Sequence, residues 1–140
     1  MHGAALGDLD LVLGFDETHV HEAVVDGGAP RERSFTMRHF VRLIELVAQP
    51  SGRELMTRAR AMVEEADSLR GSESPARAAD NMADPLGAPW KVYRETAAEI
   101  RELSLGLVGS LFGVTDSRGL PPVPAKLPRR SPLRRRLRLG

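Results

Sequence analysis

A chain of 140 residues with 41% hydrophobic side chains has the size and apolar content of one globular domain, and aromatics at 4% leave its core to Leu, Val, Ala, Ile and Met. The chain holds no cysteine, which excludes disulfides, thiolate metal sites and a cysteine nucleophile. Its net charge of +1 hides an asymmetry: residues 114–140 carry eight Lys or Arg against one acid, whereas residues 1–113 carry twelve against eighteen.

The first residues lack the basic stretch of a secretory signal, and Asp8 and Asp10 interrupt their apolar character. No run of about eighteen apolar residues occurs, so no transmembrane segment is expected, and a cytoplasmic location is the expectation. Asp8 to Phe15 reads as a strand. The consecutive Leu11, Val12 and Leu13 suit a strand buried on both faces, as in a parallel α/β sheet. Asp16 is placed to cap a helix over Glu17 to Val25, with Val20, Ala23 and Val24 as its apolar face and Gly27, Gly28 and Pro30 beyond its end.

A short strand is expected at Arg33 to Phe35, and Thr36 is a candidate cap for the helix after it. Phe40, Leu43, Ile44 and Val47 form an apolar stripe at helical spacing, which Pro50 stops. Ser51 and Glu54 have the spacing of a capping box, and the helix behind them is expected to bury Leu55, Ala59, Met62, Val63, Ala66 and Leu69. Gly71 to Pro75 reads as a loop, and Ala83 to Pro89 as a turn region. A long helix is predicted over Trp90 to Phe112, with the stripe Tyr93, Ala97, Ile100, Leu103, Leu107 and Leu111 and with Gly113 as its C-cap. Five prolines between Pro121 and Pro132 forbid a regular element, so residues 114–140 are expected to form a Pro/Arg-rich disordered tail.

The pattern gives about four helices for two strands, and the first strand calls for neighbours on both edges. An uncovered edge of that kind invites pairing with another chain, so self-association through it and an aggregation-prone monomer are expected. On pattern alone the chain reads as part of a parallel sheet whose centre is missing; the expected fold class, with the resemblance described next, is three-layer α/β, an incomplete doubly wound parallel sheet.

Three stretches in order carry a resemblance. Asp10-Leu11-Val12-Leu13 with His19, then Arg33-Ser34-Phe35-Thr36-Met37-Arg38 with Phe40, Arg42 and Leu43, then Asp80-Asn81-Met82-Ala83-Asp84-Pro85-Leu86-Gly87 with Tyr93 and Ile100 together resemble the low-molecular-weight protein tyrosine phosphatases and their arsenate reductase relatives. The match covers about residues 8–113. The resemblance implies a partial phosphatase domain over 1–113 that lacks the family's N-terminal strand and its Cys-x5-Arg-Ser/Thr phosphate loop, with Met1 falling just before the family's third strand. It also implies hydrolysis of phosphotyrosine on a protein substrate, without a metal or other cofactor.

By the resemblance Asp84 is the general acid, which protonates the leaving oxygen as phosphate passes to a thiolate, and Pro85 stiffens the loop that presents it. Asp80 and Asn81 correspond to bracing residues, Gly87 completes the Asp-Pro-x-Gly turn, and Leu86 stands where relatives place an aromatic wall. Read from the residues alone, Asp84 opens a turn and accepts backbone N–H groups. That reading prevails in a chain without a nucleophile, because a general acid there has nothing to assist. Tyr93 reads as a core residue. His19 and His21, two apart, point away from each other on a helix and do not make a metal pair; no metal site is expected.

The alternative to a phosphatase-family protein inactive on its own is a noncatalytic binding module. Its basic tail, with Arg129, Arg130, Arg134, Arg135 and Arg136, would engage acidic partners such as nucleic acid phosphates or anionic lipid heads. The plainer reading is a solvated tail. Retention on a heparin column separates the two: deleting 114–140 shortens it only if the tail binds phosphate-like groups.

Overall fold

The structure is a computed structural model, and it describes residues 5–51 and 54–113. The tail with Arg129, Arg130, Arg134, Arg135 and Arg136 lies outside the described residues. Strands β1 (Val12–Gly14) and β2 (Ser34–Thr36) run parallel, with Val12 opposite Ser34, Leu13 opposite Phe35 and Gly14 opposite Thr36. Helix α1 (Glu17–Val25) joins them as a βαβ unit. Helices α2 (Met37–Ile44), α3 (Leu55–Ser72) and α4 (Trp90–Phe112) follow. The described residues therefore form a mixed α/β arrangement of four helices and a two-stranded parallel sheet. No described helix is long and apolar enough to cross a membrane.

Local chemistry sets the helix starts. The Asp16 carboxylate accepts the His19 N–H at 2.9 Å. Gly14 lets α1 begin at once, since a β-carbon there would come within 3.0 Å of the His19 β-carbon and of a Val20 methyl. Thr36 ends β2 and caps α2, its hydroxyl accepting the His39 N–H at 3.4 Å. Helix α2 stops at Ile44, well before Pro50, and tightens into i→i+3 bonds from Leu46 to Leu43 and from Val47 to Ile44. That tightening still turns Val47 into the core.

Three expectations need correction. The first strand is three residues long rather than eight, because β2 offers only three partners; Leu6–Asp8 form a 3-10 turn, and the Asp10 carboxylate is held by Arg60 at 2.9 and 3.2 Å. Helix α3 is capped by Glu54 rather than Ser51. A carboxylate has oxygens enough to take both the Met56 and the Thr57 N–H, and Leu55 at the first helical position stays 49% exposed. The helix also continues through Gly71 to Ser72 where a loop was expected.

The core joins Phe35, Phe40, Leu43, Ile44 and Val47 to Ala59, Met62, Val63 and Ala66 of α3 and Leu111 of α4. The Phe35 and Phe40 rings lie 4.9 Å apart, so two of the four phenylalanines anchor it. Of the α4 stripe only Leu111 is fully buried; Leu107 packs at the rim, Ile100 and Leu103 are half-buried, and Ala97 is exposed. The helix is thus fastened mainly at its C-terminal end, where Gly113 closes it in the left-handed conformation.

The two sheet edges differ. Arg70 closes the outer edge of β2: it donates to the carbonyls of Ser34 at 2.6 Å and Arg31 at 2.9 Å, and its guanidinium lies 4.0 Å over the Phe35 ring. Asp67 holds the same guanidinium from one turn back. On β1 the outer edge has no strand partner among the described residues, and Val12 to Gly14 are only half-buried. Arg70→Met keeps the apolar stem but deletes both edge bonds and the cation over Phe35, so a loss of about 1–3 kcal/mol is expected in urea unfolding.

Candidate functional site

The segment from Arg77 to Ala88 crosses the carboxyl end of β1, where open α/β sheets place their ligands. Its first part is anchored on four sides. Asp80 is buried; its carboxylate accepts the Arg77 N–H at 2.7 Å and the Arg42 guanidinium at 2.7 Å. Arg42 also donates to the Ser74 hydroxyl and to the Pro75 carbonyl. The Asn81 side-chain oxygen accepts the Glu17 N–H at 3.0 Å, fixing the segment to the start of α1. Arg38 donates to the carbonyls of Ala79 at 3.0 Å and Asn81 at 2.8 Å, and its other side makes a forked pair with Glu99 of α4 at 2.6 and 2.9 Å. The Met82 N–H reaches the Phe15 carbonyl at 2.8 Å, and the Met82 side chain is buried.

Past Met82 the chain turns twice. The Asp84 carboxylate accepts the Leu86 N–H at 2.9 Å, and the Pro85 carbonyl accepts the Ala88 N–H at 2.9 Å. Gly87 occupies the third position of the second turn with φ +79°, a conformation that favours glycine. Asp84 therefore does what its turn chemistry requires, and it remains exposed.

Beneath this turn lies a cleft of about 340 Å³. Phe15, Met82 and Ile100 supply apolar walls, and Asp16, His19 and Asp84 supply its polar groups. The His19 ring meets Phe15 edge-on, with one nitrogen 3.5 Å from the Asp16 carboxylate. The arrangement puts two carboxyl groups beside an apolar hollow: Asp16, which caps α1, and Asp84, which holds its own turn. Its own chain contributes no thiol.

The expected residues divide into a root and a tip. Asp80 and Asn81 form the root, and Asp84, Pro85, Leu86 and Gly87 the tip. Leu86 departs from expectation: it does not line the cleft but stands 81% exposed, because the Asp84 turn directs it outward, and Met82 and Pro85 line the hollow instead. Tyr93 is half-buried beside α4's first turn, stacked on Trp90 at 6.2 Å, rather than in the core. His21 lines a separate cleft of about 420 Å³ at the outer edge of β2 with Thr36 and Arg70, apart from His19. Sequence reasoning missed Arg38, Arg42 and Glu99 as site residues. The available signal was that Arg38 and Arg42 sit one turn apart on α2, which puts both on one side.

The charged anchors carry a pH signature. Burial pushes the Asp80 carboxyl upward, but the bonds from Arg42 and the Arg77 N–H outweigh it, and the net effect is a pKa below the ordinary 3.8. The Arg38 bond likewise holds Glu99 below 4.5, against a smaller upward effect of burial. A carboxyl depressed by folding stabilises the fold above its unfolded pKa, and that contribution is lost as pH falls through the lower folded value. Stability is thus expected to decline below about pH 5, with a shallower decline in Asp80→Asn than in the parent, as read from urea midpoints across the acid range.

Comparison of the chain with models of known protein families, with curated proteins and with solved structures gives no match.

Proposed function

We propose that this chain is the acid-loop portion of a phosphatase of the low-molecular-weight protein tyrosine phosphatase type, which does not hydrolyse phosphate esters by itself. The carrying observation is the position of Asp84: a carboxyl group at the rim of an apolar cleft, at the carboxyl end of a parallel strand whose outer edge has no partner among the described residues. A strand bearing a Cys-x5-Arg loop, paired on that edge, would bring a thiolate and a phosphate cradle to the same hollow. The thiolate then forms a bond to phosphorus as the ester P–O bond breaks, and Asp84 gives its proton to the leaving phenol oxygen. Water next cleaves the P–S bond, and the Asp84 carboxylate takes a proton from it. Phe15, Met82 and Ile100 suit an aryl leaving group, which agrees with phosphotyrosine on protein, the substrate class the resemblance implies. No metal or cofactor enters this chemistry, and the reading places it in the cytoplasm.

The charge asymmetry favours one other reading, a noncatalytic module whose basic residues 114–140 engage acidic partners. Binding that weakens steeply with salt would mark it.

The decisive test uses an aryl phosphate. The 140-residue chain alone is expected to leave it intact. The chain fused to an N-terminal strand and Cys-x5-Arg-Ser loop is expected to hydrolyse it, with kcat reduced about 10²–10⁴-fold by Asp84→Asn. A fusion that folds cooperatively but shows no turnover overturns the reading, as does turnover by the unfused chain that Asp84→Ala abolishes.

A further inference from the structure

Arg38 lies on α2, and its hydrogen bonds go to the root of the loop and to α4 rather than to the turn that presents Asp84. Its Nη1 donates to two backbone carbonyls, those of Ala79 and Asn81, which flank Asp80 in the root of the loop. Its Nε and Nη2 close a forked pair on Glu99. Glu99 is the residue before Ile100, which forms the opposite wall of the hollow. One planar group therefore fixes the separation between the root of the loop and the helix that faces it.

We infer that Arg38, anchored by Glu99, is the positioning residue for the Asp84 loop, setting where the carboxyl group stands over the cleft. Calling that loop an acid loop rests on the proposed function; the positioning itself rests on the bonds just described. Arg42 acts differently. It meets the Asp80 side chain, Ser74 and Pro75, all on the entry side of the loop, and it has no bond to α4. Lysine cannot replace Arg38, because a single ammonium nitrogen lacks the planar fork that serves a carboxylate on one side and two carbonyls on the other.

The root also makes two bonds that report on its position without involving Arg38. The Met82 N–H is held by the Phe15 carbonyl, and the Glu17 N–H by the Asn81 side chain. If Arg38 fixes the root, its loss loosens both bonds locally. If Arg38 only adds to general stability, its loss speeds exchange throughout the domain.

Amide hydrogen exchange on the full 140-residue chain separates these cases. In Arg38→Lys and in Arg38→Gln, exchange at the Met82 and Glu17 amides is expected to rise by about tenfold or more, while the Val63 and Ala66 amides of α3 keep their parental rates. Glu99→Gln is expected to give a smaller rise at the same two amides. Unchanged Met82 and Glu17 amides, or a rise shared equally by α3, would overturn the proposal. In the strand-fused protein, Arg38→Lys is expected to lower kcat with little change in KM. Exchange decides the positioning role and turnover decides the phosphatase reading, so either can fail alone.

Discussion

A strand's backbone N–H and C=O groups need partners wherever water is kept from them, and a sheet of two strands meets that demand on two outer edges. On β2 a side chain meets it. The Arg70 guanidinium takes the carbonyls of Ser34 and Arg31, and its flat face covers Phe35, the aromatic ring that anchors the core. On β1 no described strand does so. Much of the described structure follows from this difference. The residues of β1 are half-buried, and α4 is seated by Leu111 at one end while Ile100 and Leu103 farther up the helix are only half-covered.

Helix α2 links the core to the cleft because its two faces do different work. Phe40, Leu43 and Ile44 bury one face in the domain. Arg38 and Arg42, one turn apart, reach from the other toward Asp80, Asn81 and Glu99. The cation needed to neutralise a buried carboxylate thus comes from an element already fixed by packing. That is why Asp80 can be buried as an anion: its charge is paired and its oxygens are bonded. The loop root inherits the rigidity of the core, and the Asp84 turn projects from it.

The helices were legible because their signals are local. Asp16, Thr36 and Gly113 act as the caps their chemistry predicts, and α4 spans the residues its periodicity marks. Signals that depend on a partner were harder to read. The apolar run at Leu11 to Leu13 says strand, but its length is set by how much of β2 faces it. The stripe on α4 tells which residues share a face, not whether anything covers that face. Ser51 and Glu54 read as one capping box, but the Glu54 carboxylate is itself the cap, taking two N–H groups. In the candidate site, Asp-Pro-x-Gly foretold the turn at Asp84. Nothing near Arg38 in sequence points to Glu99, which is 61 residues away, nor anything near Arg42 to Asp80, 38 residues away.

The Asn81 to Glu17 bond has a consequence for the order in which the molecule assembles. It closes a span of 64 residues, whereas the pairing of Val12 with Ser34 closes about a third of that. The ordering entropy of the shorter loop is lower, and once the βαβ unit and α2 are in place the longer span is partly fixed already. Docking of the 77–82 segment is therefore a late event that completes the molecule rather than nucleating it. Interactions made late raise the barrier to unfolding without hastening folding. The clasp that shapes the cleft thus also acts as a latch, one that governs how long the native state persists more than how quickly it is reached.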